Sequence, residues 1–193
     1  MVSLSKGQSV SLEKRAGESL TKVVMGLGWD VKKKTGFFSS LLGGKDEIDL
    51  DASCLLFNAR GESLDAVWFR QLTSRDGSIV HTGDNRTGAG EGDDEQIVVD
   101  LSRVPADVQT LIFTVNSFQG DTFDRISNAY CRLVDATTGQ ETARYDLTAS
   151  GPHTAQVMAK ISRAGSGWVM TAIGTRTSGR TFHDMMPTIV QAL

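Results

Sequence analysis

The residues best suited to chemistry in this chain are carboxylates, and many of them lie in one short stretch. Residues 81–95 read HTGDNRTGAGEGDDE, and the part from Asp84 to Glu95 holds five carboxylates, three glycines and one arginine. Two carboxylates about 4 Å apart repel each other by about 1 kcal/mol in water and by about 4 kcal/mol at an effective dielectric of about 20. This density indicates either a fully solvated loop or a site that holds a cation.

A second acidic stretch, DEIDLD at residues 46–51, leads into the strand-like sequence ASCLLF. On a strand, Asp49 and Asp51 project from the same face, and the glycines of the first stretch allow its backbone to bend tightly at positive φ. Tight bending can direct carboxylates and backbone carbonyls at one point, and calcium requires about six to eight oxygen ligands at about 2.3–2.6 Å. The two stretches together predict a site for calcium or another hard divalent cation.

Other interpretations of the first stretch agree less well with its sequence. An EF-hand register starting at Asp84 matches at its first and twelfth positions. Positions three, five and six carry Arg86, Gly88 and Ala89, which do not fit, and the flanks are strand-like. The glycine spacing of a phosphate-binding P-loop is not followed by the Lys and Ser or Thr that it needs. Catalysis would require a nucleophile-elbow residue or buried carboxylates with separated pKa values, so no enzymatic activity is expected.

The elements that would position these carboxylates are short strands separated by turn residues. They are rich in Val, Ile, Phe, Trp and Thr, as half-buried strands are. In chain order they read SLTKVVMGLGWD, ASCLLFN, LDAVWFRQL, GSIVHTG, EQIVVDL, TLIFTVNSF, AYCRLVD, ETARYDL, AQVMAKISR and GWVMTAIG. Their even spacing predicts an all-β antiparallel sandwich with a few short helices, built as a single domain over residues 1–193.

A short helix is expected to close the chain in TFHDMMPTIVQAL. Its spacing places Met186, Ile189, Val190 and Leu193 on one apolar face.

One segment stands apart from the strands. Residues 32–46, KKKTGFFSSLLGGKD, are basic at both ends and apolar in the middle, and they read as an inserted loop. The loop either folds its apolar residues back onto the surface or serves as a docking patch for a partner or an anionic membrane surface.

Charge, hydropathy and cysteine spacing limit the functions and the location that we expect for this protein. A formal net charge of −3 gives no case for nucleic acid binding. No signal-like apolar region and no membrane-spanning apolar run is recognised in the sequence. Cys54 and Cys131 each lie in an apolar strand-like run, outside any CxxC pair, which predicts two buried, reduced thiols in a cytosolic protein.

Several motifs together resemble a known family. DLDAS at residues 49–53, HTGDNRTG at 81–88, EGDDE at 91–95 and FTVNS at 113–117 are similar to the signatures of the TerD domain. The start VSLSKGQ and the sequence GLGWD at 26–30 are also typical of this bacterial tellurite-resistance and general-stress family. The resemblance covers essentially the whole chain, and the inserted loop is most similar to the TerZ branch.

The resemblance implies a β-sandwich that binds two calcium ions through its acidic motifs. It also implies a cytoplasmic protein at the inner face of the membrane, with other Ter-type stress proteins and an integral TerC-like protein as partners. Ala89 departs from the family pattern, in which an acidic residue is common. With the two asparagines and the loop glycines as neutral ligands, the predicted metal ligands are Asp49, Asp51, Asp84, Asn85, Gly88, Gly90, Asp93, Asp94, Glu95 and Asn116.

Two other functions remain open from the sequence. The acidic loop could contact a basic partner, so that the protein is a metal-independent interaction scaffold. Direct handling of tellurite is less favoured, because the acidic loop repels an oxyanion and two buried thiols are poor reductants.

Overall fold

Short strands account for most of the ordered backbone, as the β-branched and aromatic composition of the apolar segments predicts. The computed structural model describes residues 1–13, 19–31, 48–83, 92–147 and 151–193. Besides a 3-10 turn at Phe123–Arg125, the elements are β1 (Val2–Ser3), β2 (Ser9–Ser11), β3 (Lys22–Val31), β4 (Asp51–Phe57), β5 (Ser63–Val67), β6 (Ile79–His81), β7 (Glu95–Asp100), β8 (Thr110–Asn116), β9 (Ile126–Asp135), β10 (Glu141–Asp146), β11 (Ala155–Ala164), β12 (Gly167–Thr177) and α1 (Phe182–Gln191).

The strands form two six-stranded sheets that pack face to face. Sheet A has the order β1-β10-β9-β3-β7-β6, and sheet B has the order β2-β12-β11-β8-β4-β5. Every pairing between named strands is antiparallel except that of β1 with β10. The predicted antiparallel β-sandwich is therefore confirmed. The inserted segment at residues 32–46 lies outside the described residues.

The core lies between the two sheets, and it explains why some strands alternate and others do not. β9 alternates buried and more exposed residues because one of its faces packs on sheet B. β4 is buried along its whole length. Cys54 and Leu56 face the core between the sheets, whereas Leu55 and Phe57 join a second apolar cluster beneath α1. As predicted, both cysteines are buried and free of disulfides.

Helix α1 covers the outer face of sheet B with only part of the apolar face that the sequence predicts. Phe182, Met185 and Ile189 are the buried residues of α1, and Met186 packs against the same cluster. Val190 is 50% exposed, and Leu193 is also exposed. Met186 and Ile189 therefore pack on the sheet as members of the predicted face, whereas Val190 and Leu193 do not. Phe182 and Met185 pack there instead, and the large ring of Phe182 adds to the buried apolar surface.

One end of the sandwich carries the acidic motifs. In sheet B the register aligns Asp51 with Asn116 and Asn116 with Ala155. In sheet A, Glu95 at the start of β7 pairs with Leu27 of β3. The two acidic stretches, which are far apart in sequence, therefore meet where these strands begin and end.

Candidate functional site

Asp51 and Asn116 form the part of the site that belongs to sheet B. They are cross-strand neighbours at the start of β4 and the end of β8. The Asn116 side-chain N–H group donates to Asp51 Oδ2 at 3.3 Å and to the Arg180 carbonyl at 2.8 Å. Asn116 is 1% exposed, and its Oδ1 has no hydrogen-bond partner among the described residues. A buried carbonyl oxygen of this kind is available to a ligand.

Trp29 connects the two acidic stretches. Its backbone N–H donates to Asp94 Oδ2 at 2.9 Å, and its indole N–H donates to the Ile48 carbonyl at 3.2 Å. Ile48 immediately precedes Asp49, which is itself buried. Trp29 therefore contacts both the backbone beside Asp49 and the side chain of Asp94.

The environment of Asp94 favours its neutral form. Burial raises the pKa of this carboxyl group, and the charges of Asp30 and Asp93 raise it further, against the opposing effect of the Trp29 N–H. A cation beside Asp94 would reverse this tendency, because a nearby opposite charge favours the ionised carboxylate.

Glu95 links the two sheets beneath the site. Its Oε2 accepts a hydrogen bond of 2.5 Å from the backbone N–H of Ala52 in sheet B. The Nε2 atom of His81 lies 3.4 Å from the same oxygen. His81 Nδ1 accepts from the Gly83 N–H at 3.2 Å, so a neutral His81 ring carries its proton on Nε2, towards Glu95.

Asp93 is held by a different set of partners. Its Oδ1 accepts from Arg132 Nε at 2.7 Å and its Oδ2 from Arg132 Nη2 at 3.2 Å. Tyr130 and Gln96 donate to the same carboxylate at 3.3 and 3.1 Å. The Asp93 side chain is 1% exposed, so Arg132 neutralises a nearly buried charge.

These partners of Asp93 were not predicted from the sequence, although the two glycines of GLGWD indicate them. Gly26 and Gly28 lie on the same face of β3. A Cβ atom at Gly26 would lie 2.1 Å from Asp93 Oδ2, and one at Gly28 would lie 2.5 Å from the Tyr130 hydroxyl oxygen. Glycines two apart inside a strand indicate the close approach of other groups, and here those groups are the side chains of Asp93 and Tyr130.

The acidic loop leaves and rejoins the described chain through glycines. Gly83 has φ of 133° and Gly92 has φ of 105°, a backbone region that favours glycine. The intervening residues 84–91 lie outside the described residues, and with them four of the predicted ligands: Asp84, Asn85, Gly88 and Gly90.

In chemical type, the buried side chains at this end fit a hard cation. Asp49, Asp51 and Asn116 offer carboxylate and amide oxygens, which are the donors that calcium uses. Within residues 1–13, 19–31, 48–83, 92–147 and 151–193, no group of three or more His, Cys, Asp or Glu side chains is arranged to hold a metal ion. The described residues alone therefore do not complete a metal site, and the predicted donors of the acidic loop lie outside them.

Comparison with known proteins places the chain in a family. The TerD domain profile matches residues 1–186. The tellurium resistance protein TerZ of Serratia marcescens is 51% identical over 193 residues, covering 100% of this chain and 99% of that protein. A stress response protein of Bacillus subtilis (strain 168) is 41% identical over 196 residues, with 96% and 97% covered.

The fold has solved counterparts. The crystal structure of a homologue of the telluride resistance protein TerD from Streptomyces coelicolor A3(2) superposes with a TM-score of 0.67 at 23% identity, covering 83% of this chain and 92% of that one. None of the described helices has the length and apolar character needed to cross a membrane. With its profile match over almost the whole length and its relatives among resistance and stress proteins, the chain belongs to the TerD domain family of tellurium resistance and stress response proteins.

Proposed function

We propose that this protein is a calcium-binding module of the tellurium resistance and stress response, acting as a calcium-dependent scaffold or sensor without a catalytic step of its own. The observation that carries the proposal is the buried Asn116 Oδ1, which has no hydrogen-bond partner among the described residues and lies beside Asp51. An amide oxygen without a partner next to a buried carboxylate is a suitable pair of ligands for a hard cation.

The proposed site combines donors at the described strand ends with donors of the acidic loop. Asp51 stands where β4 pairs with β8, and Asp49 precedes β4 by two residues. Trp29 connects the Asp94 side chain to the backbone before Asp49 through two hydrogen bonds. Asp84 and Asn85, which follow Gly83 in the sequence, are proposed as further oxygen donors. Two ions are proposed because the resemblance to the TerD domain implies two.

Bound calcium would supply the positive charge that offsets repulsion among the loop carboxylates. The bound ion and the carboxylates around it would then form a surface that exists only when calcium is present. Such a surface suits a scaffold or sensor that recruits other Ter-type stress proteins. In a complex with an integral TerC-like protein, this protein would act at the inner face of the membrane. The relatives whose names refer to tellurium resistance and stress are consistent with this role.

Calorimetric titration of the EDTA-treated protein with calcium, and separately with magnesium, tests the proposal. We expect saturable calcium binding with a stoichiometry of about two and much weaker binding of magnesium, because magnesium loses its water ligands reluctantly. At a free calcium concentration of about 100 times the dissociation constant, the linked stabilisation is about 2.7 kcal/mol per site.

Variants then locate the site. Asp51→Asn and Asp84→Asn should each weaken calcium binding at least about tenfold, since each removes a charged ligand. Asp107→Asn is the matched control, because Asp107 is exposed in the turn before β8, at the opposite end of that strand from Asn116. A chain that binds no calcium, with the same melting curve in EDTA and in millimolar calcium, would leave the metal-independent acidic scaffold as the better function.

A further inference from the structure

A recess of about 490 Å³ opens beside β10 of sheet A and β12 of sheet B. Tyr145 of β10 lines it from sheet A, and Gln156 of β11 and Arg176 of β12 line it from sheet B. Gln156 and Arg176 are cross-strand partners, and Lys6 reaches the recess from the connection between β1 and β2. β10 and β12 lie next to one edge of their sheets, whereas β7 and β4 lie next to the other.

The two basic side chains of this recess differ from the ion-paired arginines of the fold. Arg132, Arg125 and Arg144 each form an ion pair with a carboxylate. Among the described residues, no carboxylate lies within ion-pair distance of Lys6 or Arg176. The one acid that lines the recess, Asp146, accepts a hydrogen bond from Arg144 at 3.2 Å. The recess therefore has two positive charges that are not neutralised by described side chains.

A buried histidine adjoins the same arginine. His153 and Arg176 together line a neighbouring recess of about 360 Å³. His153 is 7% exposed, and neither ring nitrogen forms a hydrogen bond with a described residue. Its ring packs against Phe123 with centroids 4.6 Å apart, so it is firmly placed. A buried polar ring without a partner calls for a ligand, because the desolvation of its nitrogens is otherwise uncompensated.

The charge state of His153 suits a donor role. Burial lowers the pKa of this imidazole, and the positive charge of Arg176 lowers it further, against the opposing effects of the nearby Gln156 side chain and the negative charge of Asp124. A neutral imidazole still carries one N–H that can donate to an anion.

Two glycines, Gly174 and Gly151, lie against the side chains of the two recesses, where a larger residue would clash. Gly174 has φ of 60°, and a Cβ atom there would lie 1.9 Å from the Tyr145 hydroxyl oxygen. A Cβ atom at Gly151 would lie 3.1 Å from His153 Nδ1 and 3.4 Å from Arg176 Nη1. Any larger residue at Gly174 would displace the tyrosine, and a side chain at Gly151 would crowd the arginine and the histidine.

We propose that Arg176 binds a small oxyanion, with Lys6 and the Tyr145 hydroxyl as further donors in the larger recess and His153 as a further donor in the smaller one. The planar guanidinium offers paired N–H groups that match two oxygens of an oxyanion, and the ammonium group adds a second charge. The site takes either a free oxyanion or the phosphate of a small phosphomonoester, since the recess is larger than a bare ion. None of these residues is a predicted metal ligand, and the site needs no metal.

Binding of anions to the full chain in EDTA tests the site. Inorganic phosphate, tellurite and adenosine monophosphate are titrated by calorimetry at constant ionic strength, with sodium chloride as the compensating salt. We expect saturable binding of at least one anion. Binding of phosphate or tellurite identifies a free oxyanion, and binding of adenosine monophosphate alone identifies a phosphomonoester.

Variants assign the binding to these residues. Arg176→Gln and Lys6→Gln should each weaken binding at least about tenfold, as the loss of a charged hydrogen-bond donor predicts. Both residues are exposed, so these variants should fold, and they test the site even if His153→Phe does not fold. Arg103→Gln is the matched control, an exposed arginine in the turn after β7. The absence of saturable binding of all three anions, or equal weakening by Arg176→Gln and Arg103→Gln, would overturn the proposal.

Discussion

Replacement of Asp93 by Asn should destabilise the protein even when no metal is present. The carboxylate is 1% exposed and accepts two hydrogen bonds from Arg132, whose side chain is 28% exposed. Removing one partner of a fully buried ion pair costs about 3–5 kcal/mol. Arg132 is partly solvated and also contacts Glu141 at 3.2 Å, so we expect a smaller loss of about 2–3 kcal/mol.

This loss is measurable as a change in the free energy of unfolding. For a chain of this length it lowers the melting temperature by about 4–12 °C. Asp93→Asn, Arg132→Met and the double variant should be unfolded with urea in EDTA, and the double variant should lose less than the sum of the single losses by about 1 kcal/mol or more. Asp107→Asn controls for the loss of an exposed charge. Fully additive losses, or a loss below about 0.5 kcal/mol for Asp93→Asn, would refute the ion-pair argument.

Three other perturbations test the packing and the thiols. Gly26→Ala should displace the Asp93 carboxylate and destabilise the chain by about 1–3 kcal/mol, because its Cβ atom would lie 2.1 Å from Oδ2; an unchanged urea midpoint would contradict this. Met185→Ala, at a fully buried position of α1, should cost about 2–5 kcal/mol, whereas the matched Val190→Ala change on the 50% exposed position should cost less than about 0.5 kcal/mol. Burial raises the pKa of Cys131 from 9.0 to about 12. Burial raises the pKa of Cys54 as well. The folded state therefore retains both thiol protons when the unfolded state loses them. Stability is unaffected well below pH 9 and falls as the pH rises from 9 towards 12, by about 1.4 kcal/mol per pH unit for each thiol. Urea melts between pH 7 and 10.5, with a thiol reagent that should react only after unfolding, check this prediction.

The fold was predictable because the strand signals are local. Alternating apolar residues with Gly, Asn and Asp turns determine where strands run, and a sandwich is the usual way to bury many short strands. The family motifs support the same conclusion. The face of α1 was predicted less well, since the strips that contain Met185 and Val190 are both apolar in sequence. Packing on Leu55 and Phe57 of sheet B selects the first strip.

The candidate site was predictable by residue type and only partly by role. Short acidic stretches identify Asp49 and Asp51 as possible ligands; both are buried, and Asp51 accepts a hydrogen bond from Asn116. Asp93 has the same chemical type, but its position over Gly26 brings it to Arg132. Spacing along the chain contains no information about this pair, because the two residues are 39 positions apart and meet only through the pairing of β3 with β7 and β9.

On its own, the sequence determined the sandwich, the family and the two acidic stretches, because these depend on local periodicity and on motifs of contiguous residues. Only the tertiary structure decided which charges are neutralised and which are not. Asp93 lies against Arg132, whereas Lys6 and Arg176 face a recess and pair with no described carboxylate. The reason is strand register, since a shift of one residue would turn each side chain to the other face of its sheet and give it different neighbours.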